Sequence, residues 1–243
     1  MNRVSSKAEQ TNETSKANRS NDELVSGDVN EGAVLPSDWT VPMSMKPRAG
    51  NLIVVTGPSG VGKGTVVSKL LQQIPNLTKS VSVTTREMRP NEIEGTDYFF
   101  RSAEEFEAMI DNGLFMEWAE FAGNLYGTPS AWVLDKLLNF DVILEIEVQG
   151  AKQIKEAFPK AVLIFLSPPS LDELKKRLKG RATETAMKLT LRLAKARQEM
   201  RERDLFHYEV VNDNIEDAVN NLAHIVYAER CRIRSNEGDS HIA

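Results

Sequence analysis

The chain has a single cysteine, Cys231, so no disulfide can form within it, and this usage suits a reducing cytosol. Its three histidines, His207, His224 and His241, fall at no metal-ligand spacing, which leaves them surface or packing roles. No apolar run approaches the roughly 20 residues that a membrane span needs, and no secretory apolar segment appears near Met1. An excess of positive charge is also missing: the net charge of −5 argues against broad nucleic-acid binding. Internal repeats are absent. What remains is a chain of 243 residues, 41% hydrophobic and 27% charged, the composition of a soluble protein of one or two domains, expected in the cytoplasm. Nothing in the sequence sets an oligomeric state.

Residues 1–48 are rich in Ser, Asn, Glu and Lys and poor in apolar side chains, and are expected to form a mobile tail. Acidic residues such as Glu9, Glu13, Asp22 and Glu23 weigh against an organellar transit peptide. Residues 49–243 read as the folded part. Short apolar runs at Leu52–Val55, Val142–Ile146, Val162–Leu166 and Glu209–Val211 read as strands. Helical patterns accompany them at Ala151–Ala157, Leu171–Leu178, Met187–Arg203 and Ile215–Arg232. This alternation predicts an α/β fold: a parallel sheet flanked by helices, binding its ligand beyond the carboxyl ends of the strands. Residues 80–129 break the rhythm. Richer in Thr, Tyr, Phe and Gly, with one helix expected at Ala103–Asp111, they read as an insertion at the ligand end.

The first strand runs into Gly57-Pro58-Ser59-Gly60-Val61-Gly62-Lys63-Gly64-Thr65, and a helical segment, Val66–Gln73, follows. Gly57, Gly62 and Lys63 stand at the spacing of a phosphate-binding loop. Glycines let consecutive backbone N–H groups turn inward on phosphate oxygens, the helix start adds unpaired N–H groups, and the lysine brings a full charge. A nucleotide polyphosphate is the expected occupant. Where such loops usually carry a Ser or Thr whose hydroxyl meets Mg²⁺, this chain has Gly64, and its hydroxyl comes one residue later on Thr65. Direct ligation of Mg²⁺ by the loop is therefore not expected, and no residue is assigned as a metal ligand.

Within the insertion the chain reads Thr84-Thr85-Arg86-Glu87-Met88-Arg89, then Glu92, Gly95, Asp97 and Tyr98. Further on come Glu117-Trp118-Ala119 and Gly123-Asn124-Leu125-Tyr126-Gly127-Thr128. In this order the segments closely resemble those of guanylate kinases, from about Asn51 to the last helix; Asn91 stands where the family pattern has glycine. The resemblance implies ATP-dependent phosphorylation of GMP, with dGMP also accepted, using Mg²⁺. By the same resemblance Arg86 and Arg89 clamp the GMP phosphate, with Tyr98 and Tyr126 as neutral donors. Guanidinium forks suit phosphate oxygens, and they keep their charge. Glu117 is implied to read guanine, whose N1–H and exocyclic amine lie side by side and match an ionised carboxylate. Ser82 and Thr128 match the family's smaller hydroxyl contacts to the base. Glu145 and Glu147 end the strand at Val142–Ile146, where relatives carry Asp-Ile-Asp before a Gln-Gly pair. As alternate strand residues they are expected to share a face toward the GMP site or the Mg²⁺ water.

Arg177, Arg181 and Arg192 match the arginines of the family's lid, placed here at 177–192, which reach the phosphoryl group in transfer. Asn212, in a Val-Asn-Asp segment, matches a residue near the adenine of ATP. The Lys63-Gly64-Thr65 ending also resembles adenylate kinases, against which Glu117 and the Arg86/Arg89 pair stand. A binding module of the same fold would commonly have a degraded loop, whereas Gly57, Gly62 and Lys63 are in place. A GTPase is opposed by the lack of an Asn-Lys-x-Asp motif.

Overall fold

The computed structural model describes residues 50–179 and 186–233. The tail expected over 1–48, Arg181 and much of the expected lid lie outside them. Among the described residues, β1 (Leu52–Thr56), β2 (Leu77–Lys79), β7 (Asp141–Glu145), β8 (Val162–Ser167) and β9 (Tyr208–Val211) form one parallel sheet in the order β2-β7-β1-β8-β9. Alternation along the strands sorts the core. Leu52, Val54, Val142, Leu144 and Leu163 face one side, where α3 (Ser130–Lys136) supplies Val133 and Leu134, and α4 (Val148–Ala157) supplies Ala151 and Ile154. Ile53, Val55, Ile143, Ile164 and Leu166 face the other, against Val66, Val67 and Leu70 of α1 (Lys63–Gln73) and Val219, Leu222 and Val226 of α7 (Ile215–Arg230). Both faces are thus covered, which is what lets the inner strands β1 and β8 be buried along their whole length. Strand β1 sits centrally between β7 and β8, so the loop leaving its carboxyl end opens at the ligand-binding edge of the sheet.

The interval expected as an insertion builds a second sheet. In it β3 (Ser82–Thr84), β4 (Tyr98–Phe100), β5 (Phe115–Phe121) and β6 (Asn124–Pro129) lie in the order β4-β3-β6-β5, with α2 (Ala103–Asp111) packed on them. Ser102 and Glu105 form a reciprocal capping box that fixes where α2 begins. Its small core is aromatic: Phe106 stacks on Phe115 at 4.5 Å between ring centroids. Gly127 lies beneath both rings, where a Cβ would come within 2.8 Å of Phe115. The glycine of this Tyr-Gly-Thr segment is therefore a packing requirement of the insertion itself.

After β8, α5 (Leu171–Lys179) and α6 (Ala186–Arg201) pack through Leu174, Leu178 and Ala196, with Leu189 and Leu193 against them. Leu178 reaches back to the phosphate loop: a Cβ on Gly60 would meet its Cδ2 at 2.6 Å. A single 3-10 turn (Arg203–Leu205) leads into β9. At the far end of the sheet, Arg230 holds the buried Asp141 carboxylate at 2.7 Å, while the Asn51 N–H donates to the same carboxylate at 2.5 Å. That knot ties the last helix to the start of β7.

Candidate active site

Three glycines of the loop adopt left-handed backbone: Gly57 (φ 146°), Gly60 (φ 87°) and Gly62 (φ 103°). Gly57 has a second reason to lack a side chain, since a Cβ would fall 2.1 Å from the Leu166 carbonyl oxygen of neighbouring β8. Lys63 opens α1 and folds back to donate to the Gly57 carbonyl at 2.7 Å, with the Glu147 carboxylate 3.5 Å from its Nζ. The loop is braced from behind. Asn212 is buried and donates through Nδ2 to the Val61 carbonyl at 2.7 Å, while Arg177 donates to the Asn212 carbonyl at 2.9 Å.

A cleft of about 390 Å³ runs from this loop to the second sheet. On the loop side it is lined by Pro58, Ser59, Gly60, Gly62, Lys63, Gly64 and Thr65, and at its far side by Ser82, Arg86, Arg89, Tyr98, Glu117 and Tyr126. Glu145, Glu147 and Arg192 line it as well. The fold thus gathers candidate residues from five separate stretches of the chain into one cavity. Gly57 and Thr128 do not line it but bond to Lys63 and Glu117, which do, while Val61, Asn212 and Arg177 stand further back, joined in series behind the loop.

Arg86 is half-buried over the Tyr98 ring, 5.4 Å from its centroid, and donates to Glu92 at 2.7 Å and to the Glu87 carbonyl at 2.6 Å. Glu92 holds this guanidinium in its charged state and its own carboxyl below the ordinary range, chiefly through that hydrogen bond. Glu94 turns instead to Arg101 at 2.7 Å. Arg89 extends toward solvent, 3.8 Å from Glu92. Burial, and then the charge of Glu145, push the Tyr98 phenol up to about 12. It therefore stays a neutral donor at any working pH.

Glu117 is almost fully buried on the edge strand β5, with 4% of its surface exposed. A β-bulge at Met116 interrupts the alternation, so Met116 enters the main core while its neighbour Glu117 is buried as well. The Thr128 hydroxyl donates to Glu117 Oε1 at 2.6 Å. Burial pushes the Glu117 carboxyl up to about 7, against hydrogen bonding from Thr128 and with help from the charge of Glu147. The ionised carboxylate assumed from sequence is thus half-protonated near neutrality before any base is bound.

One expectation needs correcting. Alternation along one strand does not place Glu145 and Glu147 together: β7 ends at Glu145, where its pairing with Val55 stops, and Glu147 is the N-cap residue of α4. Both still reach the cleft, by different routes. Glu145 pairs with Lys79 at 3.0 Å and lies beside Gly64, whose Cβ would meet Oε1 at 3.2 Å. Lys79 itself lines the cleft on β2, a strand whose three residues carry no sequence signal strong enough to find it.

The donor set suits Mg²⁺. That ion takes hard oxygen ligands and is usually held by one or two carboxylates together with substrate phosphates. Glu145 and Glu147 are carboxylates at the phosphate end, and Glu147 Oε2 is buried with no hydrogen-bond partner. No cluster of three or more His, Cys, Asp or Glu able to cage a metal occurs among the described residues, and none is needed if phosphates complete the shell.

A cleft with a polyphosphate loop at one end and a cationic, tyrosine-lined pocket with a buried carboxylate at the other defines a class: a nucleotide phosphotransferase that takes two nucleotides at once. The guanylate kinase family model matches residues 49–229. A guanylate kinase of Desulfitobacterium hafniense is 49% identical over 191 residues, 78% of this chain and 96% of that one, and one of Bacillus cereus is 52% identical over 190 residues, 77% and 93%. The crystal structure of guanylate kinase from Anaplasma phagocytophilum superposes with a TM-score of 0.64 at 35% identity, covering 77% of this chain and 90% of that one. The chain belongs to the guanylate kinase family, and its reaction is the ATP-dependent phosphorylation of GMP to GDP. No helix among the described residues is long and apolar enough to cross a membrane.

Proposed function

We propose a division of labour along the cleft in which the phosphate loop from Gly57 to Thr65 holds the ATP phosphates and the second sheet holds GMP. The arrangement of Arg86, Tyr98, Tyr126 and Glu117 on one wall, facing Lys63 on the other, carries this reading. Lys63 exchanges the Gly57 carbonyl for phosphate oxygens. Arg86, anchored by Glu92, presents its fork to the GMP phosphate, with Arg89 reaching in from the solvent side and the two phenols donating. Glu117, with Thr128 on one oxygen, accepts from guanine N1–H and the exocyclic amine, and Ser82 borders the same pocket. Adenine offers an acceptor at N1 and no amine at C2, so it leaves the carboxylate unmatched; sites of this kind reject the wrong partner by about 10⁴ or more. These contacts leave the ribose 2′ position out, so dGMP serves as well.

Mg²⁺, held by Glu145 or Glu147 and the phosphates, supplies charge neutralisation when bound. The protein's own part in the transfer is alignment and electrostatics. Arg192 faces the cleft; Arg181, with Arg177, belongs to the lid proposed at 177–192, whose closure would exclude water. Asn212 and Arg177 contribute by holding the loop in shape, which adds to the adenine contact inferred for Asn212. The terminal GMP phosphate already carries the nucleophilic oxygen, so no general base is assigned. The chain is placed in the cytoplasm as a small-molecule enzyme without nucleic-acid partners, with residues 1–48 a tail and 49–243 the catalytic domain. Arg86→Lys tests the clamp: it keeps the charge but removes the fork. Steady-state kinetics should show KM for GMP rising about tenfold, one charge-assisted hydrogen bond's worth, with KM for ATP unchanged; equal loss for both substrates would contradict the assignment.

A further inference from the structure

We propose that α4 is a ledge that sets the position of the base-reading carboxylate, with Gly150 and Gln153 as its two positioning residues; the proposal rests on the reading that Glu117 recognises guanine. Neither residue lines the cleft. Both hold the strand that does.

On the edge strand β5 the Trp118 backbone has both its groups taken by one side chain. Its N–H donates to Gln153 Oε1 at 3.2 Å, and its carbonyl accepts from Gln153 Nε2 at 2.7 Å. A primary amide carries a donor and an acceptor at one tip, which a carboxylate or a hydrocarbon of the same length cannot supply together. One turn earlier, on the same face of α4, Gly150 lies directly against Glu117. A Cβ at position 150 would fall 2.0 Å from Glu117 Oε2 and 2.8 Å from its Cδ. Glycine weakens a helix interior relative to alanine, so its presence in α4 calls for a contact that only a missing side chain permits. Glu117 is thereby boxed: Thr128 holds one oxygen, and the bare Cα of Gly150 bounds the other.

The same helix reaches the phosphate end. Its N-cap residue, Glu147, lies 3.5 Å from Lys63, and its inner face, Ala151 and Ile154, is locked into the main core together with Met116 of β5. One helix, buried along its inner face, thus fixes the spacing between the polyphosphate loop and the base-reading carboxylate. Sites that align two substrates need this, since a displacement of about 1 Å can cost on the order of 10²-fold in rate.

The test compares full-length Gly150→Ala, Gln153→Met, Glu117→Gln and Glu117→Ala with and without Gly150→Ala, each checked for folding by circular dichroism. Measured are KM and kcat for GMP and ATP, and the pH profile of GMP affinity. The ledge predicts that Gly150→Ala lowers kcat/KM for GMP on the order of 10²-fold with KM for ATP unchanged. It also predicts that the pH midpoint of GMP affinity moves away from that of the parent protein, because the carboxylate loses Thr128. Gln153→Met loses GMP affinity in the same selective way, less severely. In the Glu117→Ala background, where the crowding oxygen is gone, Gly150→Ala costs nothing further. Additive losses in that double variant, or a folded Gly150→Ala that binds GMP and ATP as the parent does, would overturn the proposal. If Gly150→Ala does not fold, Gln153→Met decides alone: unchanged KM for GMP refutes the ledge. Glu117→Gln separates the premise. Should it leave the preference for GMP intact, the reading of Glu117 itself falls; should it destroy that preference while the α4 variants keep it, only the ledge falls.

Discussion

The raised carboxyl of Glu117 makes GMP recognition a proton-linked event. In the free protein, burial holds this group at about 7, so near neutral pH about half the molecules carry a proton there. A protonated carboxyl cannot accept from both guanine donors, whereas the ionised form can, so binding drives the proton off. The sign follows: GMP affinity rises with pH up to about 7 and is flat above it. Two pH units lower, roughly one molecule in 100 is ionised, and affinity falls about 10²-fold, or about 2.7 kcal/mol at 1.36 kcal/mol per unit. The phosphate of GMP also titrates, near 6, and steepens the fall in its own right. Calorimetric titration of GMP into the protein and into Glu117→Gln, from pH 5.5 to 8.5, separates the two, because the phosphate contribution is common to both. The ratio of their affinities should climb with pH up to about 7 and then level off. At pH 7, two buffers of different ionisation enthalpy should reveal release of about half a proton per GMP, a value absent from the variant. A flat ratio, or no proton released, would refute the reasoning.

The same shift bears on stability with the opposite sense. A carboxyl raised above its unfolded value costs nothing below about 4.5 and the full penalty above about 7, on the order of 3 kcal/mol; Glu117→Gln should therefore raise Tm at pH 8, by an amount that shrinks toward pH 4.5. Arg230→Ala leaves the buried Asp141 with only the Asn51 N–H, and urea unfolding should show a loss of about 3 kcal/mol. Lys63→Ala should lower kcat on the order of 10²–10³-fold while thermal unfolding changes little, since its folded-state partners are a carbonyl of its own loop and, at 3.5 Å, the Glu147 carboxylate.

What could be read in the sequence was what is local. The loop from Gly57 to Thr65 carries its chemistry in consecutive residues, and its left-handed glycines stand where the spacing put them. Strands at 52–56 and 162–167 announced themselves as β-branched runs because both their faces are buried. The helix at Ala103–Asp111 was legible to the residue. Strand β2 was not, since Leu77-Thr78-Lys79 becomes a strand only by pairing with β7. Helix α3 starts straight after Pro129 with no side-chain cap to mark it. At the site the missed features are tertiary. The protonation of Glu117 depends on a bulge and on burial beneath α4, and the reason for Gly150 lies 33 residues away, in the oxygen it must admit. Periodicity also failed where a strand ended one residue early: Glu147 reaches the cleft as a helix cap.

The most direct test of the account is to supply Mg²⁺-ATP with GMP, AMP, CMP or UMP separately and to measure the ADP formed. Turnover confined to GMP is the predicted result, with the choice of base lost in Glu117→Gln. Turnover with AMP in place of GMP, or none with any acceptor from the folded protein, would contradict it.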